Sequence, residues 1–183
     1  MGNPEPALDS PDPRVRRLAV AAAANRPDLL SHITVMLADD PEPEVRRECA
    51  ETLGRVSGPA PPPLQAALRD GDATVREAAA FALGEGGDRT SVPQLMEMAG
   101  NEEDESLVRE AAVAALGAIG DPAAIPILLD LIRSGPPQVR RRCVPALTVF
   151  DDDRIEAALH AAAADRNPMV REAAEMVVGR ATE

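Results

Sequence analysis

Polar and apolar residues along this chain follow a pattern that occurs six times. Each copy is anchored by a Val-Arg pair: Val15-Arg16, Val45-Arg46, Val75-Arg76, Val108-Arg109, Val139-Arg140 and Val170-Arg171, spaced 30, 30, 33, 31 and 31 residues apart. Four residues after the Val stands a small side chain: Ala19, Cys49, Ala79, Ala112, Cys143, Ala174. Eight after it stands an apolar one: Ala23, Leu53, Leu83, Leu116, Leu147, Val178. Positions i, i+4 and i+8 lie on one face of an α-helix. Three before the Val come Asp12, Glu42, Asp72, Glu105, Pro136 and Asn167, most of them N-cap residues or first-turn acids. Pro follows Asp12, Glu42 and Asn167 (Pro13, Pro43, Pro168), where its missing N–H costs nothing. Thr74 with Glu77 reads as a capping box. Gly follows the +8 position in four copies (Gly54, Gly84, Gly117, Gly179), and should help end the helix there.

Between these helices the apolar spacing predicts second helices over about 28–38, 61–69, 91–99, 123–133 and 153–164. The chain therefore reads as one starting helix plus five helical hairpins, about eleven helices in five to six repeats of about 31 residues. Residues 1–11, with Pro4, Pro6 and Pro11, read as a flexible lead-in, and 12–183 as one solenoid domain. Each unit of such an array packs only on its neighbours, and the array presents an extended surface that usually binds something.

Composition narrows what that could be. Aromatics are 1% of the chain, which suits close helix packing on small side chains rather than a β-sandwich. A net charge of −12 argues against a phosphate-backbone partner and against an anionic membrane surface. No apolar stretch reaches the roughly 20 residues of a membrane span. The N-terminus has neither the basic region nor the apolar core of a signal peptide, so the chain is expected in the cytoplasm. All 19 basic residues are Arg.

Segments such as "DATVREAAAFALGEGG" and "SLVREAAVAALGAIGDPAAIPILLDLI" resemble HEAT repeats, specifically the short bacterial HEAT-like type also found in phycobilin lyases. The resemblance covers roughly residues 12–181 and implies an all-α, right-handed α-α superhelix. It also implies a ladder between neighbouring units, made by an Asp in the turn and the Arg after the Val. Asp40, Asp70 and Asp165 match that Asp, and Arg16, Arg46, Arg76, Arg109, Arg140 and Arg171 match the Arg. Ser134-Gly135 stands where the fourth unit's Asp would be, so the ladder is expected to break there.

No residue set points to catalysis, and no catalytic, cofactor or metal residue is assigned. Cys49 and Cys143 occupy the small position of the repeat, three repeats apart, and read as core residues that do not pair. His32 and His160 lack the His-Glu dipeptides of the HEAT-repeat hydroxylases, being followed by Ile33 and Ala161. His160 reads as the solvated partner of Glu156. The acidic runs Glu102–Glu105 and Asp151–Asp153 lack calcium-loop spacing and read as solvated turns. The fifth copy departs most, with Pro145 inside its helix, Phe150 after it, and Arg140 to Arg142 expected to face the aspartates 151–153.

The expected function is a non-catalytic protein–protein adaptor that binds through the inner face of the Val-Arg helices. Its contact positions lie two after each Val: Arg17, Arg47, Glu77, Glu110, Arg141 and Glu172, a mix of signs suited to a protein surface. The partner is another protein, with no nucleic acid, membrane or cofactor. Neither end is fully polar, with Val15, Leu18 and Val20 at one and Val170, Ala173, Ala174, Met176, Val177 and Val178 at the other, so one end is expected to dock on another chain or, by end-to-end self-association, on a second copy. The alternatives are a lyase or accessory subunit resembling phycobilin lyases, and a nucleic-acid repair module, which the missing aromatics and basic cleft disfavour.

Overall fold

The computed structural model describes residues 4–56 and 60–179. The first three residues of the lead-in and the last four of the array lie outside them. Among the described residues every regular element is helical, and the chain forms two compact units, Met1–Asp88 and Arg89–Glu183.

The first unit contains α1 (Glu5–Leu8), α2 (Pro13–Ala22), α3 (Leu30–Asp39), α4 (Pro43–Gly54), α5 (Pro62–Ala66) and α6 (Ala73–Glu85). The Val-Arg helices α2, α4 and α6 stack in that order, with α3 against α4 and α5. The second unit contains α7 (Val92–Gly100), α8 (Ser106–Ile119), α9 (Ile125–Ser134), α10 (Pro137–Leu147), α11 (Asp153–Ala162) and α12 (Pro168–Val178). Here α8, α10 and α12 stack, with α7, α9 and α11 packed behind them. Most of the second helices are entered or left through a 3-10 turn, as at Pro27–Leu29 before α3 and Pro122–Ala124 before α9.

Local chemistry accounts for the helix starts. Asp12, Asp72, Asn167 and Asp152 each accept a hydrogen bond from the backbone N–H two residues on, satisfying one of the helix's orphan donors. Glu42 and Glu105 occupy N-cap positions without such a bond. The expected Thr74–Glu77 capping box is not formed: Asp72 is the cap, and the Thr74 hydroxyl donates to its Oδ1 at 2.6 Å. The lead-in contains α1, whose Leu8 is 1% exposed against α2.

The core is the face the repeat predicts. The +4 residues Ala19, Cys49, Ala79, Ala112, Cys143 and Ala174 are all buried. Their small size lets the stacked helices approach. The glycines show how close that approach is. A Cβ on Gly54 would lie 2.6 Å from Ala82 Cβ, and one on Gly117 would lie 2.7 Å from Ala146 Cα. Gly117 sits inside α8 rather than ending it; the terminator is Gly120, whose φ of 65° is the left-handed conformation that glycine adopts without strain. Gly117 is therefore a packing residue, which corrects its reading as a helix stop, whereas Gly54 both packs closely and is the last residue of α4.

Gly117→Ala is expected to destabilise the protein by about 1–3 kcal/mol through overpacking, outweighing the up to about 1 kcal/mol that Ala gains in helix propensity. Gly71, with open space around its Cβ position, serves as the control, and Gly71→Ala should cost nothing. Urea unfolding of both variants measures the contrast.

Candidate functional site

The Val-Arg helices carry three sets of side chains, and position along the helix decides what each set does. The +4 residues and every Val except the exposed Val15 face the core. The +1 arginines run along the turns at the ends of the helices. The +2 residues point away from the core.

The arginines at +1 build rungs within each unit. Arg16 donates from Nε and Nη2 to both oxygens of Asp40, at 2.7 and 2.9 Å. Arg46 does the same to Asp70 at 2.8 and 2.8 Å, and Arg140 to Asp165 at 2.8 and 2.7 Å. The fork of a guanidinium matches a carboxylate edge in this geometry. Each aspartate does more than pair. Its Oδ1 also accepts the N–H of the residue two on (Glu42, Asp72, Asn167). Its backbone carbonyl accepts Nη1 of the next arginine (Arg46, Arg76, Arg171) at 2.8 Å. One rung thus ties a helix to the turn beyond its hairpin and to the helix that follows.

The electrostatics follow from this. Burial raises the carboxyls of Asp40 and Asp70, but the hydrogen bonds from Arg16 and Arg46, the backbone N–H and the nearby positive charges outweigh it and hold both below the usual value of 3.8. Asp165 is held down chiefly by Arg140. Two arginines expected in the ladder lack a carboxylate of this kind. Arg171 donates to the carbonyls of Asp165 and Arg166. Arg109 donates from Nε to the Ala99 carbonyl.

The +2 residues lie outward. Arg17 and Arg47 keep 44% and 52% side-chain exposure, and Arg141 keeps 40%. Arg17 lies 3.8 Å from Glu48, Arg141 lies 3.7 Å from Glu110, and Arg47 makes an i,i+4 pair with Glu51 at 2.8 Å. Glu172 is exposed and Glu77 half-buried. Residues at +6 share this face, one helical turn on. Among them are Phe81 at 62% and Met176 at 80% exposure, and the outward Pro145. Sequence alone leaves out Phe81 and places Met176 only at the chain's apolar end, although the repeat register puts them beside Glu77 and Glu172.

The remaining candidates are structural or solvated. Cys49 and Cys143 are fully buried and free, and burial pushes both thiols up to about 12, so neither is a thiolate at neutral pH. His160 lies 3.9 Å from Glu156, beyond hydrogen-bond reach, and His32 lies 3.3 Å from Asp9. Arg140 to Arg142 do not meet the aspartates 151–153. Asp152 instead accepts the N–H, Nε and Nη2 of Arg154, which take its carboxyl down to about 2, while Arg140 and Arg141 are bound to Asp165 and Glu110. The helix α10 runs through Pro145 and ends at Leu147. No described helix is long and apolar enough to cross a membrane.

The model of the family described as HEAT repeats matches residues 5–72 and 60–147. Comparison with the curated proteins gave no match. Among solved structures, the complex of CpcE and CpcF of phycocyanin lyase from Nostoc sp. PCC7120 is similar, with a TM-score of 0.73 and 24% identity over 95% of this chain and 75% of that one. A designed armadillo repeat protein in complex with the peptide (KR)4 has a TM-score of 0.68 and 18% identity, over 96% and 97% of the two chains. Human deoxyhypusine hydroxylase has a TM-score of 0.54 and 26% identity, over 94% and 70%.

Removing the acid of a buried rung should be costly. Asp165→Ala leaves Arg140, 2% exposed, without its carboxylate, and a loss of about 3–5 kcal/mol is expected in urea unfolding. The pH dependence has a definite sign. Because the carboxyls of Asp40, Asp70 and Asp165 lie below 3.8 in the folded chain, the unfolded chain takes up protons first as the pH falls. The stability they contribute is present above that value and is lost as the pH drops through their folded values, a trend that thermal melts across acid pH will record.

Proposed function

Because the chain belongs to the HEAT-repeat family, we propose that it is a non-catalytic scaffold of the cytoplasm, binding another protein through the outward face of its Val-Arg helices. The observation that carries this reading is the composition of that face in each unit. The +1 and +4 side chains are taken up by rungs and core, whereas Arg17, Arg47, Arg141 and Glu172 at +2 stay exposed, on the face that carries Phe81 in one unit and Met176 in the other. Exposed aromatic and Met side chains ringed by mixed charge are the usual make-up of a protein contact, where a few anchors supply most of the energy. The similar structures include one protein–protein complex and one protein–peptide complex, which supports a polypeptide ligand.

Two further readings rest on specific observations. Likeness to the CpcE–CpcF complex supports an accessory subunit of a lyase-type enzyme; a shift in bilin absorbance on adding the protein is its test. Exposed Met169, Met176 and Val177 on α12, and exposed Val15 and Leu18 on α2, support end-to-end self-association, which sedimentation velocity across concentrations would detect.

The adaptor reading is tested by capture from the native lysate with wild type and with the Arg17→Glu, Arg47→Glu, Arg141→Glu variant. A protein held by wild type should be lost by the variant, while its thermal melt changes little, since exposed pairs contribute about 0–1 kcal/mol each. Phe81→Ala should weaken the same complex by about 2 kcal/mol, roughly thirtyfold in Kd. Equal capture by all forms would remove the face from the account.

A further inference from the structure

Five of the six Val-Arg arginines use Nη1 to hold the turn before their own helix: Arg16, Arg46, Arg76, Arg140 and Arg171 donate to the carbonyls of Ser10, Asp40, Asp70, Gly135 and Asp165. Arg109 does not. Its side chain makes one hydrogen bond, from Nε to the carbonyl of Ala99, in the last turn of α7, at 3.0 Å. It forms no ion pair, yet it is 5% exposed, among the most buried charged groups of the described chain.

The turn after α9 explains the missing acid. In the first unit, Asp40 caps α3 with its N–H on Met36 and its carbonyl on Arg46. After α9 the turn is one residue shorter, and Gly135 takes those same two bonds, with its N–H on Leu131 and its carbonyl on Arg140. The residue structurally equivalent to the rung aspartate is therefore Gly135. A Cβ there would lie 2.8 Å from the Leu131 carbonyl oxygen, so no side chain can grow from this position without backbone movement. Ser134 faces solvent and donates to Asp130. The turn thus provides no carboxylate for Arg109.

A buried guanidinium needs compensation. The carbonyl end of α7 supplies about half a charge. The Nη groups make no hydrogen bond, and they are not among the fully sealed side-chain atoms of the described residues. The small remaining exposure of Arg109 therefore lies on its Nη edge, the edge able to grip two oxygens of one carboxylate.

We propose that Arg109 is an anion site that takes a small free carboxylate in place of the missing aspartate. The Asp40, Asp70 and Asp165 rungs show the chemistry: a carboxylate held bidentate on a buried guanidinium at 2.7–2.9 Å. Formate is that carboxylate group without its chain, and so requires no Cβ on Gly135.

The test is a melt of the full chain in sodium formate against sodium gluconate at equal ionic strength, gluconate being too large for a nearly closed site. Wild type should melt higher in formate, and 13C-labelled formate should broaden on adding protein. Arg109→Met, which replaces an uncompensated charge by an apolar side chain of similar length, should melt at least as high as wild type in gluconate and show no formate dependence. Should that variant fail to fold, the wild-type line width decides. An unchanged formate line, or the same formate dependence in wild type and Arg109→Met, would overturn the proposal.

Discussion

Close approach between neighbouring Val-Arg helices is the constraint on which the rest of the structure depends. Ala or Cys at +4, with Gly54 against Ala82 and Gly117 against Ala146, brings backbones within reach of one another. Interiors are close-packed, so a single added methyl group at such a point has to move a helix rather than a side chain. That approach sets the spacing at which Arg16, Arg46 and Arg140 meet Asp40, Asp70 and Asp165 with both fork bonds shorter than 3 Å. The packing positions the rungs, and the rungs fix the turns that start the next helix. With core and turns settled by the Val, +1 and +4 positions, the +2 and +6 positions are released from structural duty.

The fifth Val-Arg helix shows what happens when one part of this arrangement is lost. Its turn is one residue shorter, its rung residue is Gly135, and Arg109 stays buried with a helix-end carbonyl for company. The helix itself still forms, and Arg140 still pairs with Asp165. Local loss is tolerated because each unit of a repeat array contacts only its neighbours. The same tolerance lets Pro145 occupy the last turn of α10, where the helix ends two residues later and only one backbone bond is forfeited.

Much of the fold was legible because repetition averages out local ambiguity. Ile125, Leu128, Leu129 and Ile132 share one helix face, and the helical segment expected over 123–133 runs as a 3-10 turn plus α9 from Pro122 to Ser134. What was not legible depended on a neighbour's position. Nothing next to Gly117 in sequence announces Ala146, so its role as a contact residue was hidden. Leu8 gave no periodic signal, because a one-turn helix has no period, yet it packs on α2. Asp152 was assigned to distant arginines when Arg154, two residues away, satisfies it locally. The candidate site was partly open to the same register: Phe81 lies four residues after Glu77 and so on its face, a signal passed over in favour of charge.

The central claim is a division of labour by repeat position, with structure held at the Val, +1 and +4 residues and recognition left to +2 and +6. A saturation mutational scan read out as cellular abundance tests it without knowledge of the partner. The account predicts intolerance at Val45, Val75, Val108, Val139 and Val170, at Arg16, Arg46 and Arg140, and at the +4 residues, with broad tolerance at Arg17, Arg47, Phe81, Arg141, Glu172 and Met176. Abundance falling as steeply at the second group as at the first would contradict it, because those side chains would then belong to the scaffold.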